Sequence, residues 1–198
     1  MQIARPLVGR SRPAWQIGAT LAWCAALGVT FVRDERVPVL GLVDLGFHEL
    51  GHLVMYLVPI SELLTAAMGS VLQCAVPLGL AGYFLAMRHD RLAAAVCLAW
   101  AATSLRDASV YVADAPHERL ELIGGEHDWA FVLGSDGLDR LHQAGAIAGA
   151  IRGTGAIVLA AAVVLVAVEV RNPSLPERRA RTRRAGTGAR PGDPSPSR

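Results

Sequence analysis

His48 and His52 stand four residues apart around Glu49 in the run His48-Glu49-Leu50-Gly51-His52. On an α-helix that spacing separates the two imidazoles by about 40° around the axis and one turn along it, so both can face one metal ion. Glu49, about 100° from His48, reaches a water beside such an ion rather than the ion itself. The chemistry this arrangement permits is hydrolysis: Zn2+ acidifies a water and a carboxylate takes its proton, so that the water attacks a carbonyl. With six histidines and eight glutamates in the chain, a random ordering of the same residues yields the pattern roughly once in a hundred trials.

A zinc site of this kind needs a third protein ligand and an open position. The segment Gly124-Gly125-Glu126-His127-Asp128-Trp129 is the best supplier, because paired glycines permit a tight turn before three potential ligands. The order of preference is His127, Asp128, then Asp114, which closes a hydrophobic run in Tyr111-Val112-Ala113-Asp114-Ala115. Asp107 sits beside Arg106, a natural ion-pair partner, and His142 begins an amphipathic stretch. Asp44 lies one turn before His48 on the same face, placed either to accept the imidazole's outer N–H or simply as a polar residue near the helix entrance. Gly41, Gly46 and Gly51 thin that helix for close packing, or for a substrate backbone near the metal.

The elements that must carry these residues are membrane spans. Of the 198 residues, 53% are hydrophobic and only 18% charged, a balance outside that of ordinary soluble domains. An all-α, polytopic transmembrane bundle of about five spans is predicted, over residues 15–32, 37–60, 63–87, 92–113 and 154–170, with a polar loop at 114–140. Each run approaches the ~20 residues that cross a hydrocarbon core. Pro77 is an expected kink in the third span, and the stretch Leu138 to Arg152 is expected to extend the last one as a surface helix. The first span lacks a small-residue cleavage site and is expected to stay in the protein. Cys24, Cys74 and Cys97 fall singly inside apolar spans, as packing residues do.

This organisation gives a transmembrane domain at 1–170 and a Pro-, Gly- and Arg-rich tail at 171–198 that reads as disordered. All 19 basic residues are arginine. Those of the tail directly follow a span and carry no interleaved aromatics, which points to anionic lipid headgroups and away from nucleic acid. The expected location is the cell membrane. Five crossings put the two tails on opposite faces, and the positive-inside count favours a cytoplasmic C-terminus with Arg33, Arg36, Arg88 and Arg91 on the same side. Both tails are basic, however, so a re-entrant segment would satisfy the rule more fully. Either way the 114–140 loop lies on the side of Pro59, within reach of the second span's C-terminal half.

At these residues the chain resembles the site-2 protease family of intramembrane zinc metallopeptidases, and more closely a group of small membrane proteins related to it. The resemblance rests on Phe47 to His52, Met68-Gly69-Ser70, Tyr111 to Ala115 and Gly124 to Trp129, and covers roughly residues 40–135. It implies cleavage of membrane-embedded or juxtamembrane segments of another protein. In that family the HExxH helix is followed two spans later by an Asp ligand in an Asp-Gly motif, a spacing that raises Asp114. The fourth span has no Asp-Gly, and Asp136-Gly137 stands in a polar loop, so the third ligand stays among His127, Asp128 and Asp114.

The expected function is therefore zinc-dependent peptide-bond hydrolysis, with His48, His52 and either His127 or Asp128 as metal ligands and Glu49 as general base. Two other classes compete with it: a noncatalytic membrane protein with a structural or sensory metal site, and a metal transporter. Transport requires polar residues along most of one bundle face. Outside the site only Gln73, Thr103, Ser104, Arg106 and Asp107 offer themselves.

Overall fold

A computed structural model describes residues 12–58, 60–122 and 126–172, and among these every regular element is helical. The expected disordered tail falls almost wholly at 173–198, outside the described residues, as does the Gly124-Gly125 turn. The elements are α1 (Ala14–Arg33), α2 (Pro38–Leu57), α3 (Glu62–Ala86), α4 (Arg91–Asp114), a short α5 (Asp128–Leu133) and α6 (Ala144–Arg171), which a 3-10 turn at Leu141–Gln143 precedes. Three of these are long and apolar enough to cross a membrane: Ala14–Arg33, Glu62–Ala86 and Leu141–Arg171. The protein is thus an all-helical chain with the character of a membrane protein.

Local sequence explains the helix ends. Pro38 opens α2 at a position where its missing N–H costs nothing, after an extended Val37. Asp90 caps α4 by accepting the Ala93 N–H at 3.0 Å. Pro77 lies buried inside α3 without ending it. The last helix is longer than the hydrophobic run 154–170, because the Ala- and Gly-rich segment from 144 to 153 extends it, beginning six residues later than the expected Leu138.

α4 is the central post. Its inner faces carry Ala94, Ala95, Ala99, Ala101 and Ala102, all with no exposed surface, and small side chains of this kind let neighbouring helix backbones approach closely. Gly155 of α6 shows how closely: a Cβ there would lie 3.0 Å from the Phe31 ring and 3.2 Å from the Ala102 carbonyl oxygen. Cys24, Leu27, Leu92, Ala162 and Val166 complete the core between α1, α4 and α6. The three cysteines are free.

Helix directions depart from the expectation of five successive crossings. Trp23 Nε1 donates to the Val96 carbonyl and Arg106 donates to the carbonyls of Asp34 and Glu35, so α1 runs parallel to α4. Asp44 meets Trp100 and Ser104, and the His48 ring lies 5.8 Å from that of Tyr111, so α2 runs the same way. Two consecutive helices pointing in one direction are joined by only residues 34–37. Such a link spans at most about 18 Å, too little to bring the chain back across a core of about 30 Å. α1 and α2 therefore follow one another in the same direction along the bundle.

The consequence is that the start of α1 and the end of α6 meet at one end of the bundle. Arg12 lies 2.9 Å from Asp90 and 3.1 Å from the fully buried Glu169, and Arg91 also reaches Glu169 at 3.5 Å. The link at 34–37 follows an exposed Arg33 and lies beside Arg106, about 12 Å short of α4's end at 1.5 Å per residue. The charges there are compensated within the protein. Arg106, 2% exposed, pairs with Asp107 at 3.0 Å, and Arg152 of α6 pairs with Asp34.

Candidate metal centre

Two glycines facing each other let α2 and α3 touch backbone to backbone. A Cβ on Gly51 would stand 2.4 Å from the Met68 carbonyl oxygen, and one on Gly69 would stand 2.6 Å from the Nε2 of both His48 and His52. The bare surface of α3 at Gly69 is thus the floor over which the two imidazoles project. Gly41 and Gly46, by contrast, have open space where a Cβ would go, so the thinning expected of all three α2 glycines is used at Gly51 alone.

The imidazoles are oriented from behind and converge in front. His52 donates its Nδ1–H to the Thr65 carbonyl at 2.8 Å, which leaves its Nε2 with a lone pair facing inward. His48 Nε2 lies 3.0 Å and His52 Nε2 3.3 Å from the same atom, Asp128 Oδ2. Asp128 is the first residue of α5, which Trp129 ties to α3 by donating its Nε1–H to Ser70 Oγ at 2.9 Å. The Tyr111 hydroxyl accepts the Asp128 backbone N–H and donates to Oδ2, both at 3.1 Å.

This donor set fits a metal ion. His48, His52 and Asp128 offer three ligand atoms all within 4.8 Å of one another. His52 Nε2 stands 3.3 Å from the carboxylate oxygen, an approach that either a proton on that nitrogen or a cation between the two makes favourable. Ligand atoms about 2.0–2.1 Å from one tetrahedral ion are themselves about 3.3 Å apart, the scale of the two nitrogen–oxygen separations here. Gly69 completes the fit, since any side chain at that position would fill the space between the two nitrogens.

The remaining candidates are engaged elsewhere. His127 caps α5: its Nδ1 accepts the Ala130 N–H at 3.2 Å. A neutral ring then carries its proton on Nε2, which is buried without a hydrogen-bond partner, 3.4 Å from Asp114 Oδ2. His127 therefore presents no lone pair to the centre. Asp114 accepts the N–H groups of Arg119 and Leu120 and so closes the C-terminal turn of α4. Asp44 does not orient His48; its oxygens point across to α4 and take the Trp100 indole N–H at 2.8 Å and the Ser104 hydroxyl at 3.0 Å. His142 is exposed beside Gln143.

No known family model, curated protein or solved structure matches the chain. What the centre can do follows from its own residues. Glu49 is exposed and lines, with His48, His52, Asp128, Tyr111 and Asp44, a cavity of about 780 Å³ that runs along α2. A carboxylate beside the three ligands, but not among them, is free to accept a proton. Tyr111, Thr65 and Trp129 took no part in the chemistry expected from the sequence, although Tyr111 stands one helical turn before Asp114 and on its face. Asp128→Ala is expected to remove bound metal while His127→Ala retains it and only loosens α5; metal content of the two purified variants checks this.

Proposed function

We propose that the protein is an intramembrane zinc metallopeptidase of the site-2 protease kind, acting on membrane-embedded or juxtamembrane segments of other proteins. The observation that carries the reading is the convergence of His48 Nε2, His52 Nε2 and Asp128 Oδ2 next to Glu49 in an open cavity. Two nitrogens and one carboxylate oxygen, with room for a further ligand, match the ligand set of hydrolytic zinc sites. Zinc, when bound, supplies a Lewis acid that polarises a carbonyl and makes water a nucleophile near neutral pH.

The chain's own residues divide the rest of the work. His48, His52 and Asp128 hold the ion, with Thr65 and Tyr111 fixing two of their orientations. Glu49 takes a proton from the attacking water and returns it to the amine nitrogen that leaves as the peptide bond breaks. The cavity walls next to Glu49 include Leu42, Leu53 and Tyr56, all strongly exposed on α2. Apolar walls of this kind suit a peptide segment that arrives from the bilayer.

The membrane arrangement supports this reading. Arg12, Arg88, Arg91 and Arg171 gather at the end where α1 starts and α6 stops, and the sequence adds the arginines of both tails. At the other end stand Glu62, Glu118, Glu121, Glu126, Asp136 and Asp139, against Arg119 and Arg140. The positive-inside rule then puts both tails in the cytoplasm of a cell-membrane protein, with α1 and α2 sharing one crossing and α3, α4 and α6 making three more. The metal centre lies toward the acidic, outer end.

The test is purification of the full chain in detergent, with zinc content and hydrolysis of single-span membrane peptides measured together. One zinc per chain and hydrolysis that a chelator abolishes and zinc restores are expected. Protein that takes up no stoichiometric metal overturns the reading.

A further inference from the structure

We infer that Tyr111 is the positioning residue that fixes Asp128 as a metal ligand, an inference that rests on the metal-site reading above. Its hydroxyl makes two hydrogen bonds to one residue: it accepts the Asp128 backbone N–H and donates to Asp128 Oδ2, each at 3.1 Å. Oδ2 is also the oxygen that faces both imidazole nitrogens. One lone pair of that oxygen is thus held by the phenol while the other is directed into the centre.

Asp128 needs such a partner because of where it stands. It is the first residue of a six-residue helix, where the helix itself leaves its χ angles open. Histidines on α2 have a turn of helix before and after them and, for His52, a carbonyl behind. Among the described residues, the phenol is the side chain that donates to this carboxylate from behind. Tyr111 rises from α4, its ring stacked on His127 with centroids 4.4 Å apart and planes 29° apart. It therefore refers the ligand on α5 to the rigid central helix rather than to the loop that delivers it. A hydrogen bond that draws charge from Oδ2 weakens it slightly as a donor, whereas a ligand held in its bound orientation loses less freedom when the ion enters. Orientation is the larger effect in metal sites with such partners, where loss of the orienting group weakens binding about 10–100-fold.

Tyr111→Phe isolates the hydroxyl. The ring remains to stack on His127, and α5 keeps its cap from His127 and its tie from Trp129 to Ser70. The experiment is a Zn2+ competition titration of the full chain in detergent, for wild type, Tyr111→Phe, Asp128→Ala and the double variant. A rise in Kd of about 10–100-fold is expected for Tyr111→Phe, with less than about a twofold further change when it is added to Asp128→Ala. A small fall in zinc-free melting is expected in Tyr111→Phe, because the Asp128 N–H loses its acceptor, and a fall of the same size in the Asp128→Ala background. An unchanged Kd in Tyr111→Phe overturns the inference alone, as does a Kd loss of equal size in both backgrounds. A wild type that binds no Zn2+ overturns the metallopeptidase reading and this inference with it.

Discussion

Glu49→Gln is expected to lower peptide hydrolysis by about 10²–10⁴-fold while the protein keeps wild-type zinc. The substitution preserves size and hydrogen bonding but removes a carboxylate that lines the cavity one residue from His48, outside the ligand set and able to take a proton. His48, His52 and Asp128 make no contact with the Glu49 side chain that would explain a loss of metal. Exposure of Glu49 to the cavity means that the change leaves no buried group without a partner, so melting should stay within about 0.5 kcal/mol of wild type. His48→Ala gives the opposite pattern, since it removes a ligand and loses metal and activity together. Zinc content and turnover measured on the same preparations separate the two. If wild type and Glu49→Gln hold zinc equally and neither hydrolyses a peptide, the noncatalytic metal-site reading stands in place of the peptidase.

The two histidines were readable in the sequence because their relation is local. Helical period alone sets His48 and His52 on one face, and the structure needs nothing distant to bring them together. The third group was not, because neighbours in the chain compete for it. His127 and Asp128 differ by one position, and what separates them is where α5 begins: the residue before the helix spends its side chain on a cap, and the next one is delivered to the centre. No pattern in residues 124–129 fixes that boundary, since histidine is not among the usual capping residues. Gly69 and Tyr111 stood in segments singled out on other grounds, yet their roles depend on contacts across three helices.

The helix positions were likewise readable, to within a residue or two at most ends of α1 to α4, whereas the directions were not. Counting apolar runs treats each as a full crossing. The four charged residues Arg33, Asp34, Glu35 and Arg36 then look like a surface loop. The groups that meet this link, Arg106 on α4 and Arg152 on α6, lie far along the sequence, and Arg106 reaches it while also pairing with Asp107 as their adjacency predicts. A buried cation is also drawn to the carbonyls at a helix end. Arg106 binds the carbonyls of Asp34 and Glu35, just past the end of α1, and that contact sets the end of α1 beside the second half of α4.

Gly69→Ala is expected to raise the zinc Kd by more than about 100-fold, the upper end of what loss of an outer orienting group produces, because it obstructs the space where the ion must sit. The added methyl would lie 2.6 Å from Nε2 of both histidines and 2.7 Å from His48 Cε1. Neither ring can retreat cheaply: His52 is tied to the Thr65 carbonyl, and His48 faces Asp128. Gly51 already meets the Met68 backbone one residue earlier, so admitting the methyl requires α2 and α3 to part and give up that close packing. Overpacking of this kind costs about 1–3 kcal/mol in stability, so zinc titration and thermal unfolding should both register the change. Gly46→Ala supplies the comparison. It is the same substitution in α2, with nothing within 4 Å of the new methyl, and removing a helical glycine there should stabilise by about 0.5–1 kcal/mol and leave zinc binding alone. If both variants bind zinc as wild type does, the ion does not lie between the two imidazoles and α3, and the centre must be sought elsewhere in the cavity.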